Sequence, residues 1–189
     1  LIFKKEKFMK KILVLITLVV AGTFAFTQEN EVTPHQDNYL ERNLTIKANP
    51  LTTAMSALGG VLSLSASSDY MFTNYFGLAQ NFQTAYMSIY DVNSLVFCYS
   101  IGPSLNFMGK GLTGPFINIQ PGIALAKAWD DTAQSPFIAQ FYFKSELGYQ
   151  WVLQNGFTVN VYGGLNYLET FSPEFGVNIG YAFKNQKYK

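Results

Sequence analysis

The sequence predicts an all-β protein, an eight-stranded antiparallel up-and-down transmembrane β-barrel. Three observations lead to this fold. Large apolar residues alternate with small or polar residues along eight stretches, and a period of two is the spacing of a β-strand. Aromatic residues make up 16% of the chain and charged residues only 13%, so little charge is available for a soluble surface. The aromatic residues also collect near the ends of the predicted strands.

The clearest strand is Ser94–Met108, which reads SLVFCYSIGPSLNFM. Its odd positions carry large apolar side chains such as Phe97, and its even positions carry small or polar ones such as Cys98 and Ser100. In a soluble sandwich the apolar face would point inward, whereas in a small membrane barrel it points outward to lipid. We expect Cys98 to lie in the lumen as a packing residue.

Seven further stretches show the same alternation, which gives the even strand number of a barrel whose two ends lie on one side of a membrane. They are Leu44–Met55, Val61–Phe72, Phe76–Tyr90, Pro115–Ala128, Phe137–Val152, Phe157–Leu168 and Phe175–Phe183.

The turns predict how the strands pair. Thr73–Tyr75 and Gln154–Gly156 read as three-residue hairpin loops, which set like faces opposite each other, and Gly156 suits a left-handed position. The same pairing across Gly109–Gly114 places Pro103 opposite Pro121. Because a proline cannot donate a ladder hydrogen bond, we expect irregular pairing at these two residues.

The charged residues within the strands decide which face points inward. A lipid-facing Lys144 near the membrane midplane would cost about 2–4 kcal/mol. Inside the barrel it can pair with Glu146 or, across the lumen, with Asp69. We therefore predict a structural lumen network of Asp69, Lys144 and Glu146. Eight strands enclose a space only wide enough for side chains, so no general pore is expected.

Two aromatic belts are expected at the two membrane interfaces. One contains Tyr70, Phe72, Phe76, Phe107, Tyr149, Trp151, Tyr181 and Phe183, and the other contains Tyr90, Trp129, Phe137, Tyr167 and Phe175. Acidic residues are assigned to the outer loops beyond the second belt, namely Asp91, Asp130, Asp131, Glu169 and Glu174.

The N-terminal segment reads as a signal peptide of residues 1–25. Met9–Lys11 is basic, Ile12–Val20 is apolar, and Thr23–Ala25 presents small residues for cleavage near Ala25. A helical anchor is the weaker interpretation, because the apolar run falls short of the roughly 20 residues that span a bilayer. Residues 26–43 then form a flexible periplasmic lead-in, residues 44–183 the barrel, and residues 184–189 a C-terminal tail.

Cleavage would change the charge of the chain. The signal removes five lysines and one glutamate, which leaves 8 basic and 11 acidic residues and a net charge of about −3. The remaining sequence contains no basic patch, so nucleic acid is not an expected partner.

Four stretches resemble the OmpX-like and OmpA-membrane-domain-like outer-membrane barrels, particularly their small spirochaete and Bacteroidetes-type members. They are KANPL from Lys47, GKGLTGPFINIQPGIAL from Gly109, LGYQWVLQNGFTVNVYGGLNY from Leu147 and the terminal FGVNIGYAF. The resemblance covers Ile46–Phe183. It implies a location in the outer membrane of a diderm bacterium, contact with outer-membrane lipid, and insertion by the barrel-insertion machinery. In this family alternate aromatics in the last strand resemble the insertion signal, and Tyr181 and Phe183 match them.

Three functions remain to be weighed. The first is a non-enzymatic integral barrel with a structural or surface-contact role through acidic outer loops. The second is an outer-membrane enzyme, but the single histidine, His35, lies in the lead-in, and Lys144 beside Glu146 reads as a salt bridge. The third is a soluble periplasmic lipocalin-like barrel that binds a small apolar ligand and buries Leu95, Phe97 and Phe141. We expect the first, with no cofactor and no metal.

Overall fold

A computed structural model of the protein describes residues 42–130 and 132–184. These residues form a closed β-barrel of eight strands with one short helix. The elements are β1 (Arg42–Ala48), α1 (Pro50–Leu58), β2 (Val61–Met71), β3 (Phe76–Ile89), β4 (Val92–Asn106), β5 (Gly114–Trp129), β6 (Ile138–Val152), β7 (Phe157–Leu168) and β8 (Thr170–Lys184). The proposed signal peptide and most of the lead-in, residues 1–41, lie outside the described residues, as do Asp131 and residues 185–189 of the tail.

Each strand pairs antiparallel with the next, and β1 closes the ring by pairing with β8. This confirms the eight-stranded up-and-down topology. The predicted register of both tight turns is also confirmed, because Tyr70 faces Leu78 across the first and Trp151 faces Val159 across the second. Gly156 has the expected positive φ, 94°.

The first strand is shorter than predicted. It begins at Arg42 and ends at Ala48, and the second half of the predicted Leu44–Met55 strand is helix α1. The side chain of Asn49 accepts a hydrogen bond from the amide of Thr52 at 2.9 Å, and Pro50 occupies the first helical turn. Both are strong helix-start signals, and they outweigh the weak alternation of this stretch. Among the described residues, no helix has the length and hydropathy to cross a membrane.

The predicted contact between Pro103 and Pro121 was wrong by two residues. The pairs Ser100–Gly122 and Ser104–Asn118 place Pro103 level with Ile119 instead. The expected irregularity is nevertheless present, since the β4–β5 ladder is interrupted between these two pairs. Each proline lacks the N–H that would take part in the β4–β5 ladder, so only this ladder is interrupted.

The last strand is longer than predicted. β8 begins at Thr170 rather than Phe175, so a turn at Glu169, with φ 65°, replaces the expected loop of residues 169–174. Lys184, assigned to the tail, is the last residue of this strand, and Arg42 and Asn43 of the lead-in open β1.

The two faces of the barrel have the predicted polarity. Serines, asparagines and glutamines of alternate positions are buried in the lumen, while the large apolar residues between them are exposed. On β2, for example, Ser63 and Ser65 are buried, and Leu62 and Leu64 are exposed. The outward face therefore carries the apolar surface that a soluble protein would bury.

A pair of glycines tests the packing of the β6–β7 turn. A Cβ on Gly156 would lie 2.8 Å from the Ala182 carbonyl oxygen and 2.8 Å from the Tyr181 ring, whereas a Cβ on Gly60 would meet nothing within 4 Å. Both glycines have positive φ, so an alanine introduces the same kind of backbone strain at either position. We predict that Gly156→Ala lowers the free energy of unfolding by about 1–3 kcal/mol more than Gly60→Ala. Urea titration of the refolded variants, followed by tryptophan fluorescence, measures this difference, and equal losses would contradict the described turn.

Candidate functional site

The barrel lumen is the most distinctive site of the described chain, because its interior is polar. The largest side chains with less than 2% exposure are all polar or charged, namely Lys144, Gln120, Asn49, Asn118, Asn160, Thr45, Thr158 and Ser100. All but Asn49, the N-cap of α1, lie at alternate positions of the strands, so the period-two pattern itself directs them inward. Burial of such groups costs free energy unless each finds a partner.

Lys144 is the centre of the first charge cluster. Its Nζ lies 3.0 Å from Glu146 Oε1 and 3.2 Å from Glu174 Oε2, and only 1% of its side chain is exposed. Asn118 donates a hydrogen bond to Glu146 at 2.9 Å. The ammonium group also lies 5.2 Å from the centroid of the Tyr162 ring. One cation is thus held between two carboxylates and an aromatic face.

Glu174 corrects the prediction that it lies in an outer loop. It belongs to β8, and its carboxylate faces the lumen, where it accepts hydrogen bonds from Tyr162 Oη at 2.7 Å and Asn166 Nδ2 at 2.7 Å. Asn49, at the start of α1, donates to the same Tyr162 hydroxyl at 3.0 Å. Glu174 therefore links the lysine cluster to the helix.

Asp69 lies in the lumen as predicted but pairs with Lys47 rather than with Lys144. The Lys47 ammonium contacts the Asp69 carboxylate and donates to Gln150 Oε1 at 2.9 Å. Gln150 also accepts from Asn160 at 3.2 Å and donates to the Leu112 carbonyl oxygen at 2.8 Å. This second cluster ties β1, β2, β6 and β7 to the β4–β5 turn.

Lys47, Glu174 and Tyr162 are among the network members that were not predicted. Each lies on the inward side of its strand, so the alternation that placed Asp69 and Lys144 inside could have found them too. The sequence does not show which cation pairs with Asp69. That is decided by the register of β1 against β2, which pairs Lys47 with Ser67.

The lumen is filled rather than open in the described structure. A cavity lined by Asp69, Ser104, Phe116 and Gln150 has a volume of about 10 Å³, which is space for about one water molecule. Cys98 lies among lumenal side chains, as predicted, and packs with Ala124 and Tyr142.

The chemistry of these clusters is that of paired charges. In the described ranges no histidine is present to act as a base, and no group of three or more His, Cys, Asp or Glu side chains could hold a metal ion. Lys144 and Glu146 are a buried ion pair within this network. Breaking such a buried pair leaves an uncompensated charge, at a cost of about 3–5 kcal/mol.

The predicted signal residues Tyr181 and Phe183 lie on the outward face of β8. Their rings make an edge-to-face contact with centroids 5.2 Å apart, and both are partly exposed. Tyr149 and Trp151 form a similar outward pair on β6 with centroids 4.6 Å apart. These contacts lie at the end of the barrel where the described chain begins and ends.

The opposite end of the barrel carries the other aromatic groups and three of the predicted acidic residues, Asp91, Asp130 and Glu169. Tyr167 contacts both Phe141 and Phe171, with centroid distances of 6.2 and 4.9 Å. In the loop after β5, the Thr132 hydroxyl and then the amides of Thr132 and Ala133 donate to Asp130 and lower the pKa of its carboxyl group. Asp130 therefore stays negatively charged to a lower pH than an ordinary aspartate.

The outward face does not favour the lipocalin-like register for this barrel. That alternative requires Leu95, Phe97 and Phe141 inside. Phe141 is instead 60% exposed on the outer surface, and the lumen beneath it contains the hydroxyl of Tyr142 and the amide of Asn166.

No protein-family model matches the sequence, and no curated protein matches it significantly. Solved structures do match. The crystal structure of Ail, the attachment invasion locus protein of Yersinia pestis, is 12% identical with a TM-score of 0.50, and the match covers 76% of this chain and 99% of that one. Ail in complex with the heparin analogue sucrose octasulfate is 13% identical with the same TM-score and coverage. The N-terminal β-barrel domain of Pseudomonas aeruginosa OprF is 16% identical, with a TM-score of 0.42 and coverage of 76% and 98%. The likeness to Ail shows the same eight-stranded fold.

Lys144 tests the first cluster. We predict that Lys144→Met lowers the free energy of unfolding by about 3–5 kcal/mol, because Glu146 and Glu174 lose their shared cation. Lys127→Met is the matched control, since Lys127 lies beside the Phe137 ring and outside the network. Its loss should cost about 1 kcal/mol or less. Equal effects of the two substitutions in urea titrations would contradict the central position of Lys144.

A double-mutant cycle tests the partner of Asp69. Lys47→Met and Asp69→Asn should be coupled by about 1 kcal/mol or more in their unfolding free energies, because they share one buried ion pair. Lys144→Met and Asp69→Asn should add within about 0.5 kcal/mol. Strong coupling of Asp69 to Lys144, with none to Lys47, would restore the pairing expected from the sequence.

Proposed function

We propose that this protein is a non-enzymatic integral outer-membrane β-barrel with a lumen closed by side chains and a structural or surface-contact role. The observation that carries the proposal is the inverted polarity of the barrel. Its largest fully buried side chains are polar, while large apolar side chains such as Phe82, Ile123 and Leu147 are exposed on the outer surface. In water this apolar surface would drive association, whereas in a bilayer it is matched by lipid.

The closed ring supports a membrane location on independent grounds. Inside hydrocarbon every backbone N–H and C=O must be satisfied by the protein, and the continuous ladders of the ring do so except beyond Ala48, where β1 ends. The aromatic pairs at the two ends of the barrel suit the two membrane interfaces, where amphipathic rings are enriched. Lipid of the outer membrane is accordingly the proposed partner of the outward face.

The connections at the barrel end away from the described termini are the surface offered to the outside. Asp130 and Glu169 lie there, Asp91 forms the turn between β3 and β4, and Gln140 donates to Glu169 at 2.6 Å. After cleavage near Ala25 the chain would have a net charge of about −3. This surface therefore favours cationic over polyanionic partners. Ail, by contrast, binds a sulfated sugar.

The non-enzymatic assignment rests on the side chains of the lumen. The charged groups there are committed to ion pairs, and the ordinary nucleophile and base combination of acyl-transfer barrels has no histidine in the described strands. Tyr181 and Phe183 are the proposed signal for the barrel-insertion machinery, because alternate aromatics end the last strand.

Membrane fractionation with a gel-mobility assay tests the proposal. The full chain is expressed with its own N-terminus in a diderm host, and the outer-membrane fraction is run in SDS with and without boiling. We expect the protein in that fraction, with an unboiled band that migrates faster than the boiled one, because a closed barrel resists SDS in the cold. A protein that stays soluble in the periplasm without a mobility shift would overturn the proposal.

A further inference from the structure

Helix α1 occupies a gap in the barrel wall. β1 ends at Ala48, which pairs with Ala66 of β2 on one side and Ile179 of β8 on the other. Beyond this point β2 continues to Val61 and β8 continues back to Thr170, but no strand lies between them. The helix contacts both strands and takes the place of the missing part of β1.

The length of the helix matches the β2 side of the gap. β2 rises about 16 Å from Ala66 to Val61, and the nine residues of α1 span about 13 Å. Leu62 of β2 faces Tyr86 of β3, whose ring contacts Trp129 of the aromatic belt. The amide of Asn49 donates to the Ser65 carbonyl oxygen at 3.0 Å, and Ser56 contacts Ser63, so the helix lies beside β2 at the level of Ser63–Ser65, next to the belt on the side of the barrel middle.

Like the strands, α1 turns polar side chains toward the lumen and apolar side chains outward. Ser56 contacts Ser63 on the lumenal side of β2, and it donates to the Thr52 carbonyl oxygen at 2.7 Å. Leu51, Met55 and Leu58 lie on the other side of the helix, at the spacing of one helical face. Met55 is 47% exposed and Leu58 is 64% exposed. A surface helix of a soluble protein turns its apolar face inward.

The apolar face of α1 is continuous with the outer surface of the barrel. Leu62 and Leu64 of β2, which are 60% and 57% exposed, flank it on one side, and Phe171 and Phe175 of β8 are exposed on the other. A helix satisfies its own backbone hydrogen bonds, so it can replace a strand in hydrocarbon where an unpaired loop could not.

We propose that α1 is a membrane-embedded part of the barrel wall and that the acyl chains of surrounding lipid cover the face formed by Leu51, Met55 and Leu58. This inference rests on the proposed membrane location. It adds that the wall changes from strand to helix within the bilayer, so the seam between β2 and β8 is closed there by side-chain contacts instead of a ladder of hydrogen bonds.

Fluorescence quenching by spin-labelled lipid tests the inference. The single cysteine is first removed by Cys98→Ser, and Met55→Cys or Leu58→Cys is then labelled with a small fluorophore. Leu64→Cys serves as the control on the neighbouring strand, and Gln154→Cys serves as the control in an exposed turn. Each variant is refolded into phosphatidylcholine vesicles with and without doxyl-labelled phosphatidylcholine, and its β-structure is checked by circular dichroism.

We expect the labels at positions 55 and 58 to lose at least half as much fluorescence as the label at position 64, while the label at position 154 changes little. Quenching at 64 without quenching at 55 and 58 would place the helix in water and overturn the inference, with the membrane barrel intact. No quenching at any wall position would overturn the membrane location itself. Oxidative cross-linking of unlabelled Leu58→Cys into dimers, with no lipid quenching, would show that a second copy covers the face and would also overturn it.

Discussion

A ring of eight strands leaves a lumen only as wide as the side chains that fill it, and this constraint organises the described structure. There is no room for a solvent-filled channel around Lys144, so its charge must be matched by protein groups. Glu146 and Glu174 provide that match from two different strands. Lys144 and Glu146 lie on the same strand, so it is the position of β8 relative to β6 that brings Glu174 to them.

The same constraint explains why the lumen has two clusters of several partners each instead of isolated pairs. Lys47 and Asp69 connect the first two strands, and Gln150 extends their network to the β4–β5 turn. Tyr162 and Asn49 extend the Lys144 cluster to the start of the helix. A buried ion pair contributes little net stability by itself, but the loss of one partner is costly. Such a network favours one register over others that have the same backbone hydrogen bonds.

In the proposed membrane location the outer surface follows a different rule, because lipid accepts any apolar side chain that fits. Leu62, Leu64 and Leu147 need no specific partner, and their exposure costs nothing in hydrocarbon. Local irregularities are tolerated where neighbours compensate for them. The prolines of β4 and β5 interrupt a single ladder, and α1 supplies its own backbone hydrogen bonds where β1 ends.

The sequence by itself determined the strand number, the face of each strand that points inward, and the register of the two tight turns, because these depend on a period of two and on loop length. It also placed Asp69, Lys144, Glu146 and Cys98 in the lumen. Only the tertiary structure decided which charges meet, since the partners of Asp69 and Lys144 depend on the stagger between strands distant in sequence. It likewise decided that Glu174 meets Lys144 and Tyr162 and that Asn49 contacts Tyr162, because these contacts join residues on different elements, up to 113 positions apart. The helix after Ala48 has local start signals in Asn49 and Pro50, which the weak alternation of that stretch obscured.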